Sequence, residues 1–419
     1  MTLLDWAATK FGLLATAVPL MLLAMTFARQ GFAEGPEIRR FEIDAITGGA
    51  TATAVTAAEL IHLNQIMPLG SDGKVVGGDD IREQLGQLSS NLMGAIAAVG
   101  GDSSRILKLN VYVAKAEVAQ AVRDWFNGLP ADTPRPAISF VVTPLPDPAA
   151  LAAIDAVIAG EGAKGDNDRV VRRVEEAKRF GGRVGPAAVV LPIGPRVYIS
   201  GQAEKGDGSV ADATRQTMAS LGRTLEFLGL QRSDVVQVKA FITPMTEVAA
   251  FEKEVLAFFG DQPLPVLAAV EWESNLPIEI EMVVAGKAEA EAQVAGAIEY
   301  LTPPGMTASP IYCRVAKVLS PTTIYTAGIF VNAGLDGEKE VAEVIHKLGD
   351  ILRQTGSDFK HLAKATYYVA SDETSAELNR QRPQHYDPAR PPAASKAAVA
   401  GTSREGNSIT IDMIGTTKP

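Results

Sequence analysis

Compared with itself, the chain aligns three times over. Segments 91–117 (NLMGAIAAVGGDSSRILKLNVYVAKAE), 220–246 (SLGRTLEFLGLQRSDVVQVKAFITPMT) and 347–373 (KLGDILRQTGSDFKHLAKATYYVASDE) match without a gap. An internal repeat restricts the possible architectures more than any single motif can. In each copy, apolar residues at helical spacing end at a glycine, Gly100, Gly229 or Gly356, where a helix stop takes left-handed backbone. A polar step carrying Asp102, Asp234 or Asp358 leads into LKLNVYV, VQVKAFI or AKATYYV, and the alternation of these runs predicts strands. Upstream, RVYISGQAEKGDGSV (196–210) has counterparts in ELIHLNQIMPLGSDGKVV (59–76) and TTIYTAGIFVNAGLDGEKEV (322–341). Each is an apolar strand, a small polar step and an Asp-Gly turn, and in the middle copy the strand should end near Ala203.

A second helical stretch, clearest in EVAAFEKEVLAFFG (247–260), precedes a final strand, IEIEMVVAG in the middle copy and ITIDMIGT in the last. Each unit therefore reads strands, helix, strand, helix, strand. That is an α+β sandwich of one sheet with two helices on one face. Gly222 and Gly349 share one position inside the first helix, and Gly94 lies one residue further on in its copy; a glycine there costs about 1 kcal/mol relative to alanine, so its recurrence predicts close packing of that helix on the sheet. Repeat 1 spans 41–160 and is the most divergent, repeat 2 spans 170–290, and repeat 3 spans 309–419. Linkers are expected at GEGAKGDND (160–168) and LTPPGMTAS (301–309).

The first 33 residues differ from the rest. Phe11 to Ala28 is an uncharged apolar run of 18, at the short edge for a membrane span, and Gly31-Phe32-Ala33 offers small residues for a signal peptidase. Residues 1–33 read as a signal peptide or an N-terminal anchor. The chain is then exported, to periplasm or medium, or tethered to a membrane; it is cytoplasmic if translation starts at Met21 or Met25 instead.

A formal net charge of −10 and a pI of about 5.1 disfavour nucleic acid, which proteins meet with a basic face. The run RVVRRVEEAKRF (169–180) is too balanced for such a patch and reads as a solvated helix or an entry strand. Cys313 is the one cysteine, and the four histidines are scattered, so no metal site, cofactor or internal disulfide is expected. Cys313 reads as a structural thiol, and Tyr198 and Tyr325, at matching positions, as barrel or interface aromatics.

ISGQ with its glycine turn, FLGL, SDVVQVKAFIT, AFFG and LPIEIEMVVAG resemble the reactive-intermediate deaminase (RidA, or YjgF) family. The middle copy matches along its whole length, the last copy well and the first least. The resemblance implies chorismate-mutase-like domains, a trimer with a central β-barrel, and ligand clefts at the subunit interfaces. Three copies in one chain then imply a single-chain pseudo-trimer that needs no obligate homotrimer. The implied partner is a small molecule, and the implied activity is hydrolysis of enamines and imines to a keto acid and ammonia.

Family members hold the substrate carboxylate with an arginine in a Pro-Ala-Arg-Ser/Thr step and place a glutamate near the start of the last strand. Here the steps read Pro136-Ala137-Ile138-Ser139, Pro265-Val266-Leu267-Ala268 and Pro392-Ala393-Ala394-Ser395, and the glutamate position reads Ala153, Glu279 and Thr410. Glu279 is thus the candidate catalytic residue, although IEIE also fits a solvent-facing pair of Glu279 and Glu281. Ser200 keeps the family's small polar residue, where Asn64 and Ala327 do not, and Asn379 matches a family asparagine that is Glu252 in the middle copy. Ser200, Leu267 and Asn379 are candidate ligand-binding residues, and Arg135 and Arg390, each just before the altered step, are candidate replacements for the missing arginine. The rival reading is a non-catalytic ligand-binding or scaffold protein that retains only the fold, with dry clefts lined by Ile138, Leu267 and Ala394.

Overall fold

The computed structural model describes residues 36–419, apart from 129, 131, 162–169 and 288–295. The apolar run Phe11–Ala28 and most of the expected 160–168 linker lie outside the described residues. Repeat 1 contributes β1 (Ile38–Arg40), β2 (Ala52–Thr56), β3 (Leu60–Leu63), α1 (Ile81–Ala98), β4 (Ile106–Val113), α2 (Ala116–Asn127), β5 (Ala137–Val142) and β6 (Ala152–Ala159). Next come β7 (Arg172–Glu176), β8 (Pro186–Leu191), β9 (Arg196–Gln202), α3 (Val210–Phe227), β10 (Val235–Ile242), α4 (Val248–Phe259), β11 (Val266–Glu271) and β12 (Ile278–Ala285). The last series is β13 (Ile298–Leu301), β14 (Val315–Val318), β15 (Thr322–Thr326), α5 (Gly337–Gln354), β16 (Leu362–Val369), α6 (Asp372–Gln381), β17 (Ala393–Ala398) and β18 (Ile409–Gly415).

The local signals behave as their chemistry requires. Asp80, Ser209 and Asp336 cap the first helix of each repeat by accepting from backbone N–H groups. The same helices stop before Gly100, Gly229 and Gly356, at φ of 67°, 64° and 78°, a conformation that only glycine adopts without strain. β9 ends at Gln202 and α3 begins at Val210, which places the intervening turn where GDG demands it. The recurrent helix glycine has a different cause from the one expected. A Cβ on Gly94 would lie 2.9 Å from the Phe180 ring, and those on Gly222 and Gly349 would lie 3.3 and 3.4 Å from Phe258 and Phe359. The glycine accommodates an aromatic ring, not the sheet.

The elements build three six-stranded mixed sheets, ordered β5-β4-β6-β3-β8-β7, β11-β10-β12-β9-β14-β13 and β1-β2-β15-β18-β16-β17. Each has one parallel pair, β4–β5, β10–β11 or β16–β17, in an otherwise antiparallel ladder. The opening hairpin strands of every repeat pair with a neighbour: β7–β8 complete the first sheet, β13–β14 the second, and β1–β2 the third. Of the two readings of 169–180, the entry strand is the one realised, as β7. Helices cover one face of each sheet. The opposite faces share a core in which Leu60, Leu107 and Val157 meet Val189, Tyr198, Val236 and Val283, with Cys313, Ala316, Tyr325 and Ala363 from the third series. Tyr198 and Tyr325 are thus buried between sheets. So is Cys313, whose thiol burial pushes up to about 12, an inert environment.

Candidate functional site

On the shared inner side, equivalent positions of β4, β10 and β16 stack in layers. Leu107, Val236 and Ala363 form an apolar layer and Tyr112, Phe241 and Tyr368 an aromatic one. The same strands also carry Lys108, Lys239 and Lys364, and the last strands carry Asp155, Glu281 and Asp412, all six buried. Lys108 Nζ lies 3.5 Å from Asp412 and donates to Thr326 O at 2.7 Å. Lys364 Nζ is 2.8 Å from Glu281 and donates to Thr366 Oγ1 at 2.9 Å. Lys239 donates to the Tyr368 hydroxyl at 2.7 Å, while the Tyr112 hydroxyl and Asn110 Nδ2 donate to Asp155. Burial lowers the Lys108 pKa. Burial also opposes ionisation of Asp412, yet Lys108, Lys239 and Lys364 together hold its carboxyl below the usual range. The layer is therefore compact and formally neutral, three cations against three anions, as buried charge must be.

Glu279 stands one step along β12 from this layer. It is not a solvent-facing residue: Glu279 Oε1 is buried without a hydrogen-bond partner, and a Cβ on Gly201 would lie 1.9 Å from it. Burial pushes the Glu279 carboxyl up to about 7; Glu281 adds to the rise, and the nearby Ser395 hydroxyl and Lys364 oppose it. Ser200 Oγ and Ser395 Oγ are likewise buried and unpartnered. The interface thus sets Glu279 and Gly201 of repeat 2, with Ser200 preceding Gly201 on β9, against Ser395 of repeat 3. A carboxyl that titrates near neutrality, with unpaired hydroxyls around it, can take a proton from a water and return it.

The other two interfaces are bridged. Between repeats 1 and 2, Gln65 N donates to Leu267 O at 3.0 Å, Gln65 Nε2 to Ala269 O at 3.0 Å, and Ala269 N to Gln65 Oε1 at 3.2 Å. Beside that bridge, a cavity of about 20 Å³ is lined by Leu267, Arg183 and Glu252 among others, room for about one water. Arg183 clamps Glu252 there through two bonds of 2.7 and 3.0 Å. Between repeats 3 and 1, Gly328 N donates to Ile138 O at 2.9 Å, and Arg123 anchors on Ser403 O at 2.7 Å.

Over residues 186–286 the chain matches the profile of the family described as endoribonuclease L-PSP. It is 30% identical, over 111 residues, to the 2-iminobutanoate/2-iminopropanoate deaminase of Dermatophagoides farinae, covering 86% of that protein and 24% of this one. The chain belongs to the RidA/YjgF family. Among solved structures, a YjgF-family protein from Neisseria meningitidis is similar at 22% identity, with 29% of this chain and 96% of that one covered and a TM-score of 0.22. The YjgF gene product of E. coli is 24% identical, with 23% and 84% covered and a TM-score of 0.21. The three sheets are those of three tandem RidA-like domains.

Of the residues singled out as a RidA-type site, Ser200 and Glu279 come together. Leu267 belongs to a different interface, because the altered arginine step lies on the sheet edge that faces the preceding repeat. Arg135 is turned away: its guanidinium donates to the carbonyl oxygens of Phe126, at the end of α2, and Pro130. Arg390 lines a separate surface depression of about 300 Å³ with Tyr300, Lys360 and His361. Asn379 accepts from Arg382 Nη2 at 3.0 Å and Lys396 Nζ at 3.3 Å, on α6 beside β17. The buried charge layer and Arg183 went unread in the sequence. Its signal was present: Lys108 and Lys364 occupy one aligned position, and Asp155, Glu281 and Asp412 another.

Proposed function

We propose that this RidA-like chain works as a single-chain pseudo-trimer that binds a small metabolite between repeats 2 and 3 and hydrolyses an enamine or imine there to a keto acid and ammonia. The observation that carries the reading is Glu279, a carboxyl at that interface with an unpartnered oxygen and a pKa moved to about 7. The similarity to an imine deaminase supports it. In the reaction, Glu279 takes a proton from water as its oxygen adds to the imine carbon, and the proton passes to nitrogen. The carbinolamine then collapses with loss of ammonia, so that imine and water balance ketone and ammonia. Ser200 and Ser395 position the water or the substrate.

All three interfaces are bridged, but at the place aligned with Glu279 and Ala394 the other two are closed by Gln65 N donating to Leu267 O and Gly328 N donating to Ile138 O, which favours the interface of repeats 2 and 3 for the chemistry. The test is ammonia release from freshly generated 2-aminoacrylate. The expected result is a rate well above the buffer blank with the wild-type protein, abolished by Glu279→Ala. A wild-type rate equal to the blank overturns the enzymatic reading in favour of a fold retained for binding alone.

A further inference from the structure

Aligned lysines of the buried layer are used differently at two interfaces. Between repeats 3 and 1, Lys108 Nζ donates to the Ser139 hydroxyl at 2.5 Å and to Thr326 O at 2.7 Å, and lies 3.5 Å from Asp412. Two residues before Asp412, on the same face of β18, stands Thr410. Between repeats 2 and 3 the aligned groups are Lys364, Ser395 and Glu281, and the residue two before Glu281 is Glu279. Here Lys364 Nζ lies 2.8 Å from Glu281 Oε1 and donates to Thr366 Oγ1 at 2.9 Å. It does not take up the aligned serine: Ser395 Oγ is buried without a partner and stands beside Glu279.

One ammonium thus serves two acids on one face of β12. Glu281 Oε2 and Glu279 Oε1 are both buried and unpartnered. Burial does most to raise the Glu279 pKa; of the charged groups around it, Glu281 on its own strand adds to the rise and Lys364 from β16 opposes it. β17 offers the Ser395 hydroxyl, β9 the backbone of Gly201, and Asp412 of β18 also lies in the field of Lys364. An ammonium released onto Glu279 would hold it as a carboxylate to lower pH and weaken it as a base. We propose that Glu281 is a positioning residue for this site: it holds the Lys364 ammonium in an ion pair and so leaves Glu279 free to take the proton of the attacking water. The inference rests on the reading of Glu279 as the base of the imine hydrolysis and names the group that governs its protonation.

The experiment is the pH profile of kcat/KM for ammonia release from 2-aminoacrylate by the full chain, wild type against Glu281→Gln and Glu281→Asp. Glutamine keeps the shape and still accepts from Lys364 but does not neutralise it. An opposite charge within about 4–6 Å lowers a carboxyl pKa by about 1–3. The acid limb of Glu281→Gln should therefore move down by about one pH unit or more, with a lower plateau, while Glu281→Asp keeps the limb near 7. Adding Lys364→Met to Glu281→Gln should bring the limb back, because no ammonium is left to pair with Glu279. A role in stability alone moves no limb. An unmoved limb in Glu281→Gln overturns the inference; if that variant does not fold, a limb displaced to low pH in the double variant overturns it. A second readout needs no turnover. The stability that protonated Glu279 contributes is lost as pH rises through its midpoint, so the difference between each protein and the same protein carrying Glu279→Gln reports that midpoint. A midpoint that moves in Glu281→Gln with no ammonia released by any protein sustains the hold of Glu281 on Glu279 and sinks the hydrolase reading; ammonia release with an unmoved limb does the reverse.

Discussion

Lys364 of repeat 3 reaches Glu281 of repeat 2 at 2.8 Å, with 9% and 4% of the two side chains exposed. The pair joins neighbouring repeats inside the layer where Lys108 meets Asp412. Removing one partner strands the other as an uncompensated buried charge, so Lys364→Met should lower stability by roughly 3–5 kcal/mol. Replacing both, as Lys364→Met with Glu281→Leu, should recover most of that loss, because the desolvation penalty leaves with the pair. Urea denaturation of the three proteins checks this. A single variant within about 1 kcal/mol of wild type would mean that the layer is hydrated.

His62 occupies the position that tyrosine holds at 198 and 325, and burial lowers its pKa to about 4, with Gln237 opposing the shift. Between pH 6.5 and about 4 the unfolded chain carries a proton on this residue that the folded chain does not. Stability should therefore fall as pH drops through this window and level off below it. From pH 7 to pH 5 the contribution is roughly 2 kcal/mol. Since buried carboxylates also titrate on acidification, the informative quantity is the difference between wild type and His62→Gln. Equal pH slopes for the two proteins would show that His62 protonates without penalty.

The fold was legible in this sequence because its signals are local and occur three times. Helix stops at Gly100, Gly229 and Gly356 and alternating strands reinforce one another across copies. Strand exchange was not legible, since an edge strand such as β8 has the same alternation whichever sheet it joins. The site was half legible. Ser200 and Glu279 were found by their own repeat's match, but a cleft between repeats takes its second wall from the next copy. The best-matching repeat therefore supplied Leu267 to a different interface. Glu281 of the charge layer read as one side of an amphipathic strand because a sheet buried on both faces permits polar residues only when partners from other repeats neutralise them.

The three helix glycines should respond differently to alanine. A Cβ at position 349 meets Phe359 at ordinary contact distance, 3.4 Å, whereas at position 94 it meets Phe180 at 2.9 Å. Gly349→Ala should stabilise by up to about 1 kcal/mol through helix propensity. Gly94→Ala should be neutral or destabilising, because the Phe180 ring must shift in a packed site. Thermal midpoints decide: equal gains at both positions would mean that Phe180 yields freely.

The protonation of Glu279 should appear in both rate and stability. As a general base it works ionised, so kcat/KM for imine hydrolysis should rise about tenfold per pH unit below 7 and flatten above it; an unperturbed glutamate would already be flat above about pH 5.5. For stability the sign is opposite to that of His62. Its folded-state pKa of about 7 exceeds the unfolded value, so the folded protein holds the extra proton between pH 4.5 and 7. The stabilisation is full below that window and is lost as pH rises through it, by roughly 3 kcal/mol. Glu279→Gln keeps the shape without the charge and should abolish the rate and remove the pH dependence of stability together. If the rate is lost in the variant while the stability profile is unchanged, the carboxyl is relieved of its burial penalty by water at the interface. If neither changes, the group that titrates near 7 is elsewhere, and Glu279 serves only to pack against Gly201.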